Sequence, residues 1–140
     1  MLTVIIDART RAARLPLLLS RLTAGAVDGL VRQVLILAAP DQPGIAELCE
    51  DMGAGAHPTF AEAARVARAE WLMVLSADFR LRDGWIGALS DHLASGKREA
   101  AMVGRGGRGV LVERGRALGL EGTDLNRLRR GLGLWPRRVG

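Results

Sequence analysis

A chain of 140 residues that is 49% hydrophobic but only 4% aromatic has material for one core, filled by Ala, Val, Ile and Leu, and one domain is expected. No apolar run approaches the ~18–20 residues that cross a bilayer, the early Asp7, Arg9 and Arg11 do not fit a signal peptide, and a single cysteine excludes a disulfide framework or a cysteine-built zinc site, so a cytoplasmic location is expected. The net charge of +5 is unevenly spread, with nine arginines against eleven acids in residues 1–96 and eleven basic residues against four acids in 97–140, so the last third can meet phosphates, nucleic acid or an anionic membrane surface.

Leu2 to Ile6 is β-branched and apolar and reads as a buried strand. Leu15, Leu18, Leu19 and Leu22 recur at helical spacing, and Pro16 suits the first turn. Val31 to Leu37 reads as a second strand. After a loop over residues 38–43, Pro43 is expected to open a helix with Asp41 near its N-cap and Gly53 at its end. A very short edge strand is expected between Gly53 and Pro58. Thr59 and Glu62 have the spacing of a capping box ahead of Phe60, Ala63, Ala64 and Ala67. Trp71 to Ser76 is the next strand, and Asp83 to Ser95 the next helix, with Trp85, Ile86, Leu89 and Leu93 on one face. This alternation predicts a mostly parallel sheet flanked by helices. Beyond Gly96 the pattern weakens. Ala100 to Val103 and Val110 to Val112 read as strands around a Gly-rich turn, Thr123 to Leu132 as a short helix, and Trp135 to Gly140 as a loose or docked tail.

Several chemistry-bearing patterns are absent. The Gly-rich run lacks the Gly-Lys-Ser/Thr of a phosphate loop, and no strand leads into Gly-x-Gly-x-x-Gly. No Gly-x-Ser-x-Gly elbow occurs. His57 and His92 have no ligand partner at i+3 or i+4 and read as non-functional. Cys49 shares an apolar helix stripe with Ile45, Leu48 and Met52, so a buried structural thiol is expected. Residues 105–109 look like one RGG element, but such elements act as repeats. A hairpin turn is the better reading, and nucleic acid is not expected as a partner.

Asp78 is the residue that points to chemistry. It ends the hydrophobic strand Trp71–Ser76, which places it where open α/β sheets bind ligands. One carboxylate there suits Mg²⁺ or Mn²⁺ held jointly with a diphosphate, because these ions keep waters and take phosphate oxygens as ligands. The structural alternative is an Asp that caps the turn into the next helix.

Over residues 2–95 the order and spacing of blocks resemble the family 2 glycosyltransferases of GT-A fold, most closely the short bacterial members. The chain has Asp7-Ala8-Arg9-Thr10-Arg11-Ala12-Ala13-Arg14-Leu15 where that family has Pro-Ala-x-Asn-Glu-x-x-Arg-Leu. Ala38 to Ile45, followed by Ala46-Glu47-Leu48, stands where the family has Asp-x-x-Ser-x-Asp-Gly-Thr and then Ala-Glu-Leu. Trp71 to Asp78, followed by Asp83-Gly84-Trp85, matches Trp-Leu-x-Phe-Leu-x-Ala-Asp with its later Gly-Trp. The departures fall on the chemistry. Arg11, Ala38 and Pro43 stand where the family has acids that read the nucleotide. Ser76-Ala77-Asp78 keeps only the last position of the metal motif Asp-x-Asp. Glu121-Gly122 stands in place of a Glu-Asp pair that holds the catalytic base.

The resemblance implies a GT-A-like α/β domain over residues 1–140. Residues 1–96 would be the nucleotide-binding half, and 97–140 a short, basic acceptor-side region and tail. It implies transfer of a sugar from a nucleoside diphosphate sugar to an acceptor hydroxyl. Asp78 would hold the divalent metal, Mg²⁺ or Mn²⁺. Ser76 would lie near the ribose, Ala8 and Arg9 would line the base pocket, and Asp41 would stand in for the second loop acid. Arg105 and Arg108 would add positive charge at the diphosphate, and Glu121 or Asp124 would be the base. The sequence leaves open a peripheral membrane contact and a homodimer, which could supply missing acceptor surface. The contrasting reading is a catalytically degenerate member acting as a non-enzymatic binding or partner module.

Overall fold

The computed structural model describes residues 1–9, 12–39, 41–96, 101–103, 109–115 and 138–139. Its elements in chain order are β1 (Leu2–Asp7), a 3-10 turn (Ala12–Arg14), α1 (Leu15–Asp28), β2 (Val31–Leu37), α2 (Ile45–Met52), β3 (Gly55–His57), α3 (Phe60–Val66), β4 (Trp71–Ser76), α4 (Trp85–Ala94), β5 (Ala101–Val103), β6 (Gly109–Glu113) and β7 (Arg138–Val139). The strands form one seven-stranded sheet in the order β3-β2-β1-β4-β6-β5-β7. Strands β3, β2, β1 and β4 are mutually parallel. Strand β6 runs antiparallel to both β4 and β5, and β7 is parallel to β5. The expected α/β architecture with a mostly parallel sheet is present.

Alternation along each strand divides the core into two layers. Val4, Ile6, Met73, Leu75, Ile36 and Leu111 face one side, with Leu15, Leu18, Leu19 and Leu22 of α1, Ile45 and Cys49 of α2, and Trp85 and Leu89 of α4. Ile5, Leu35, Leu37, Leu72, Val74, Val110 and Val112 face the other, with Phe60, Ala63 and Ala64 of α3. The chain steps from β1 to β2 to β3 with helices on the first face, then returns past β1 to β4 with α3 on the second. A change of face on reversal is what a single crossover handedness requires.

Local chemistry explains most boundaries. Pro16 lies in the first turn of α1, and Gly53 closes α2 in the left-handed conformation, φ 66°. Two expectations are corrected. Helix α2 begins at Ile45, and its N-cap is Gly44 at φ 79°, with no side-chain cap. Asp41 and Pro43 therefore lie in the preceding turn. The left-handed step at Gly44 redirects the chain, and a residue with a Cβ adopts it only with strain. The capping box at α3 is half-made. Thr59 Oγ1 accepts from the Glu62 N–H at 3.2 Å, but the Glu62 carboxylate meets His57 Nδ1 at 2.9 Å. His57, read from sequence as isolated, thus has a partner at the end of β3.

Within the tail, residues 138–139 are paired: β7 joins β5 through Met102–Arg138 and Val103–Val139. Strands β5 and β6 pair as expected for a hairpin. The Gly-rich segment 104–108 and the helix expected over Thr123 to Leu132 lie outside the described residues.

One polar network around the buried Thr3 ties down the edge opposite the strands' carboxyl ends. Thr3 is fully buried. Its Oγ1 donates to Gln33 Oε1 at 3.1 Å and accepts from the Ala69 N–H at 3.2 Å. Gln33 Oε1 also accepts from the Arg68 N–H at 2.9 Å. Arg114 Nη1 donates to the Ala67 carbonyl at 2.7 Å. The isosteric change Thr3→Val strands the buried Ala69 N–H, and is expected to lower unfolding free energy by about 2 kcal/mol in urea titration.

Candidate functional site

Because β1, β2, β3 and β4 are parallel, their carboxyl ends share one sheet edge. The chain leaves β1 toward β2 on one side, while β4 lies on the other side of β1. The boundary between β1 and β4 is therefore a topological switch point, where open α/β sheets form a ligand crevice.

The ladder runs one residue past each strand. The Ala8 N–H donates to the Leu37 carbonyl at 2.9 Å, the Ala38 N–H to that of His57 at 3.0 Å, and the Ala77 N–H to that of Asp7 at 3.1 Å. Ala8, Ala38 and Ala77 are all buried and belong to one core layer. Their methyl groups make a low apolar floor, and polar groups follow directly after it.

At β4, Ser76 sits in register with Asp7 of β1. Ser76 Oγ donates to Asp78 Oδ1 at 2.7 Å, and the Phe79 N–H donates to the Ser76 carbonyl at 3.1 Å, closing a turn around Ala77 and Asp78. Asp78 is half-buried, while its neighbours Ala77 and Phe79 are buried. Phe79 has room because β6 starts with Gly109. A Cβ there would stand 2.9 Å from Phe79 Cε2 and from the Val103 carbonyl oxygen.

At β1, the Asp7 carboxylate is engaged by Arg9. Nε donates to Oδ1 at 2.9 Å, Nη2 to Oδ2 at 2.9 Å, and the Arg9 N–H to Oδ1 at 3.2 Å. This fork-to-fork pairing fixes the guanidinium in one orientation. The Arg9 cation is thus turned back on the end of its own strand. Ala8 contributes its carbonyl, because its methyl is fully buried. That carbonyl accepts from Gln42 Nε2 at 2.7 Å. Asp41 lies exposed in the turn beside it.

The structure brings Ala8, Arg9, Ser76 and Asp78 to the same edge. Arg105, Arg108, Glu121 and Asp124 lie outside the described residues. Two further side chains lie at this edge, Asp7 and Gln42. Asp7 figures in the sequence only as part of a motif. Gln42 lies beside Asp41 and is a loop side chain carrying both a donor and an acceptor. Cys49 is buried as expected, and burial pushes its thiol above the ordinary 9.0. Thiol reagents at pH 8 are expected to label the folded protein far more slowly than the urea-unfolded chain.

No family model matches the chain, and no curated protein matches it. Solved structures do. The chain is similar to mannosyl-3-phosphoglycerate synthase from Rubrobacter xylanophilus, with TM-score 0.74 and 14% identity over 99% of this chain and 65% of that one. It is also similar to glucosyl-3-phosphoglycerate synthase from Mycobacterium tuberculosis in complex with Mn²⁺, UDP and glucosyl-3-phosphoglycerate, with TM-score 0.71 and 14% identity over 99% of this chain and 69% of that one. The same enzyme with Mn²⁺, UDP-glucose and phosphoglyceric acid matches at TM-score 0.70 and 13% identity, again over 99% and 69%. The fold is that of GT-A-type glycosyltransferases. This chain spans about two thirds of the length of those enzymes.

Among the described residues no three Asp, Glu, His or Cys side chains gather into a preformed metal cage, and no helix is long and apolar enough to cross a membrane.

Proposed function

We propose that this chain binds a nucleoside diphosphate sugar along the carboxyl edge of β2, β1 and β4 and transfers the sugar to an acceptor hydroxyl. The observation that carries this reading is the Ser76–Asp78 pair at the β1/β4 switch point. It stands in a fold shared with structures that hold UDP and Mn²⁺.

A divalent ion fits the donor set in one way. Asp78 and Ser76 offer a carboxylate and a hydroxyl, both hard oxygen donors, and too few for a protein-only cage. Mg²⁺ or Mn²⁺ completes its shell with waters and substrate phosphates, so Asp78 would hold the ion against the diphosphate. The ion's contribution is to stabilise charge on the departing diphosphate.

In an inverting version of the transfer, the acceptor oxygen forms a bond to the anomeric carbon on the face opposite the diphosphate. The bond from that carbon to the diphosphate oxygen breaks, and the acceptor's proton passes to a carboxylate. Glu121 and Asp124 are the candidate bases. In this reading residues 1–96 hold the nucleotide and 97–140 form the acceptor side. The excess of bases in 97–140, with Arg105 and Arg108 among them, favours an anionic acceptor.

Thermal shift tests the donor half directly. UDP- or GDP-sugar at about 100 times its Kd with Mn²⁺ is expected to add about 2.7 kcal/mol, or about 9 °C. EDTA should remove most of that gain, and release of the nucleoside diphosphate on adding an acceptor would report turnover. No shift with either donor class overturns the reading.

A further inference from the structure

Gln42 makes three hydrogen bonds that together bridge the loops after β1 and β2. Its side-chain Nε2 donates to the Ala8 carbonyl at 2.7 Å. Its Oε1 accepts from the Ala39 N–H at 3.2 Å. Its own N–H donates to the Ala39 carbonyl at 3.0 Å, which holds the side chain at the root of the loop. Only one orientation of the carboxamide satisfies both side-chain bonds, so its nitrogen and oxygen are assigned by the network.

The Ala8 carbonyl and the Ala39 N–H are main-chain groups just past the sheet ladder. Ala8 uses its N–H in the ladder, toward Leu37, which leaves its carbonyl for other partners. Because one planar carboxamide reaches both groups, they form an acceptor and a donor spaced for a cis-amide edge. Nucleobases present that edge: uracil with N3–H beside O4, and guanine with N1–H beside O6. The pair lies one strand from the Ser76–Asp78 turn, on the side of β1 away from β4. A base there and a diphosphate at Asp78 would lie along one sheet edge.

We propose that Gln42 is a built-in competitor for the nucleobase. Its carboxamide occupies the acceptor–donor pair of Ala8 and Ala39, and a base must displace it to bind. This inference rests on the nucleotide-binding reading above. It departs from the view of Gln42 as a loop clamp in the sign of the expected effect. A clamp preorganises the pocket, so its loss weakens binding. A competitor reduces the fraction of chains with the pair open, so its loss strengthens binding by the inverse of that fraction.

Titration calorimetry on the wild type and on Gln42→Met tests the sign. Met keeps the length of the side chain and loses both side-chain hydrogen bonds. Gln42 sits half-exposed in a loop, and an unliganded melting temperature within a few degrees of wild type checks the fold. Gln42→Ala provides a second variant. Three probes are used with Mn²⁺: UDP, GDP and pyrophosphate. The expected result is tighter binding of UDP or GDP by both variants, by about ten-fold for two modest hydrogen bonds, with pyrophosphate affinity unchanged. Unchanged or weaker nucleotide binding by the variants, with nucleotide binding by the wild type intact, overturns the competitor and leaves the nucleotide reading standing. An equal gain for pyrophosphate overturns it too, because the effect would not lie at the base edge. Binding of none of the three probes by any of the proteins overturns both readings together.

Discussion

Replacing Asp78 with alanine is expected to erase the metal-dependent part of nucleotide binding while leaving the chain folded. Asp78 is half-buried in a turn whose packing is carried by its neighbours Ala77 and Phe79. Its loss therefore removes charge from the edge without opening the core. Even residues that merely orient a metal ligand cost 10–100-fold in affinity when removed, so loss of the ligand itself should cost at least about 100-fold for UDP with Mn²⁺. Asp78→Asn should behave like the alanine variant, because it keeps the shape and loses the charge. Ser76→Ala should cost less, since it removes a neutral hydroxyl and the 2.7 Å hydrogen bond that orients the carboxylate, and keeps the charge. The measurement is UDP titration with Mn²⁺ and again with EDTA. If Asp78→Ala retains the difference between the two conditions, the ion is held elsewhere.

The second large effect is on stability, at a position remote from the edge. Gly25 of α1 is buried, and a Cβ placed on it would stand 2.5 Å from Trp85 Cη2 and 2.8 Å from Val31 Cγ2. Both partners are core residues with little freedom to move. Gly25→Ala gains about 1 kcal/mol in helix propensity, but overpacking a core typically costs 1–3 kcal/mol, and here the indole meets the new methyl head-on. A net loss of about 2 kcal/mol is expected, or about 7 °C in Tm. Gly87→Ala in α4 is the matched control. Nothing lies within 4 Å of its added Cβ, so propensity acts alone and stability should rise by up to about 1 kcal/mol. Opposite signs for one chemical change would locate the close approach of α1 to α4 without a structure.

Most of the fold was legible because its elements carry local signals. The short apolar runs of β1, β2 and β4 are too short for helices and too continuous for loops. The leucines of α1 mark one face, and Thr59 marks the start of α3. What escaped depends on contacts distant in sequence or on backbone geometry. Helix α2 starts after a left-handed glycine, which offers no capping side chain to read, so Pro43 and Asp41 drew the boundary too early. The strand at Arg138–Val139 pairs with residues 36 positions earlier, and no periodicity in a two-residue segment reports that. At the site, the sequence pointed to the carboxyl end of β4 through Asp78. It could not show that Asp7 draws Arg9 back, nor that Glu62 leaves its cap for His57, because each depends on which of several partners a flexible side chain meets.

Among the described residues the sheet is bounded by β3, three residues long, and by β7, two residues long. An open strand border invites neighbouring molecules to extend the ladder, and very short terminal strands are one way that proteins discourage this. These short borders disfavour continuous intermolecular β-pairing along the described part of the sheet. A mutation that lengthened either border would be the one to watch for fibre formation.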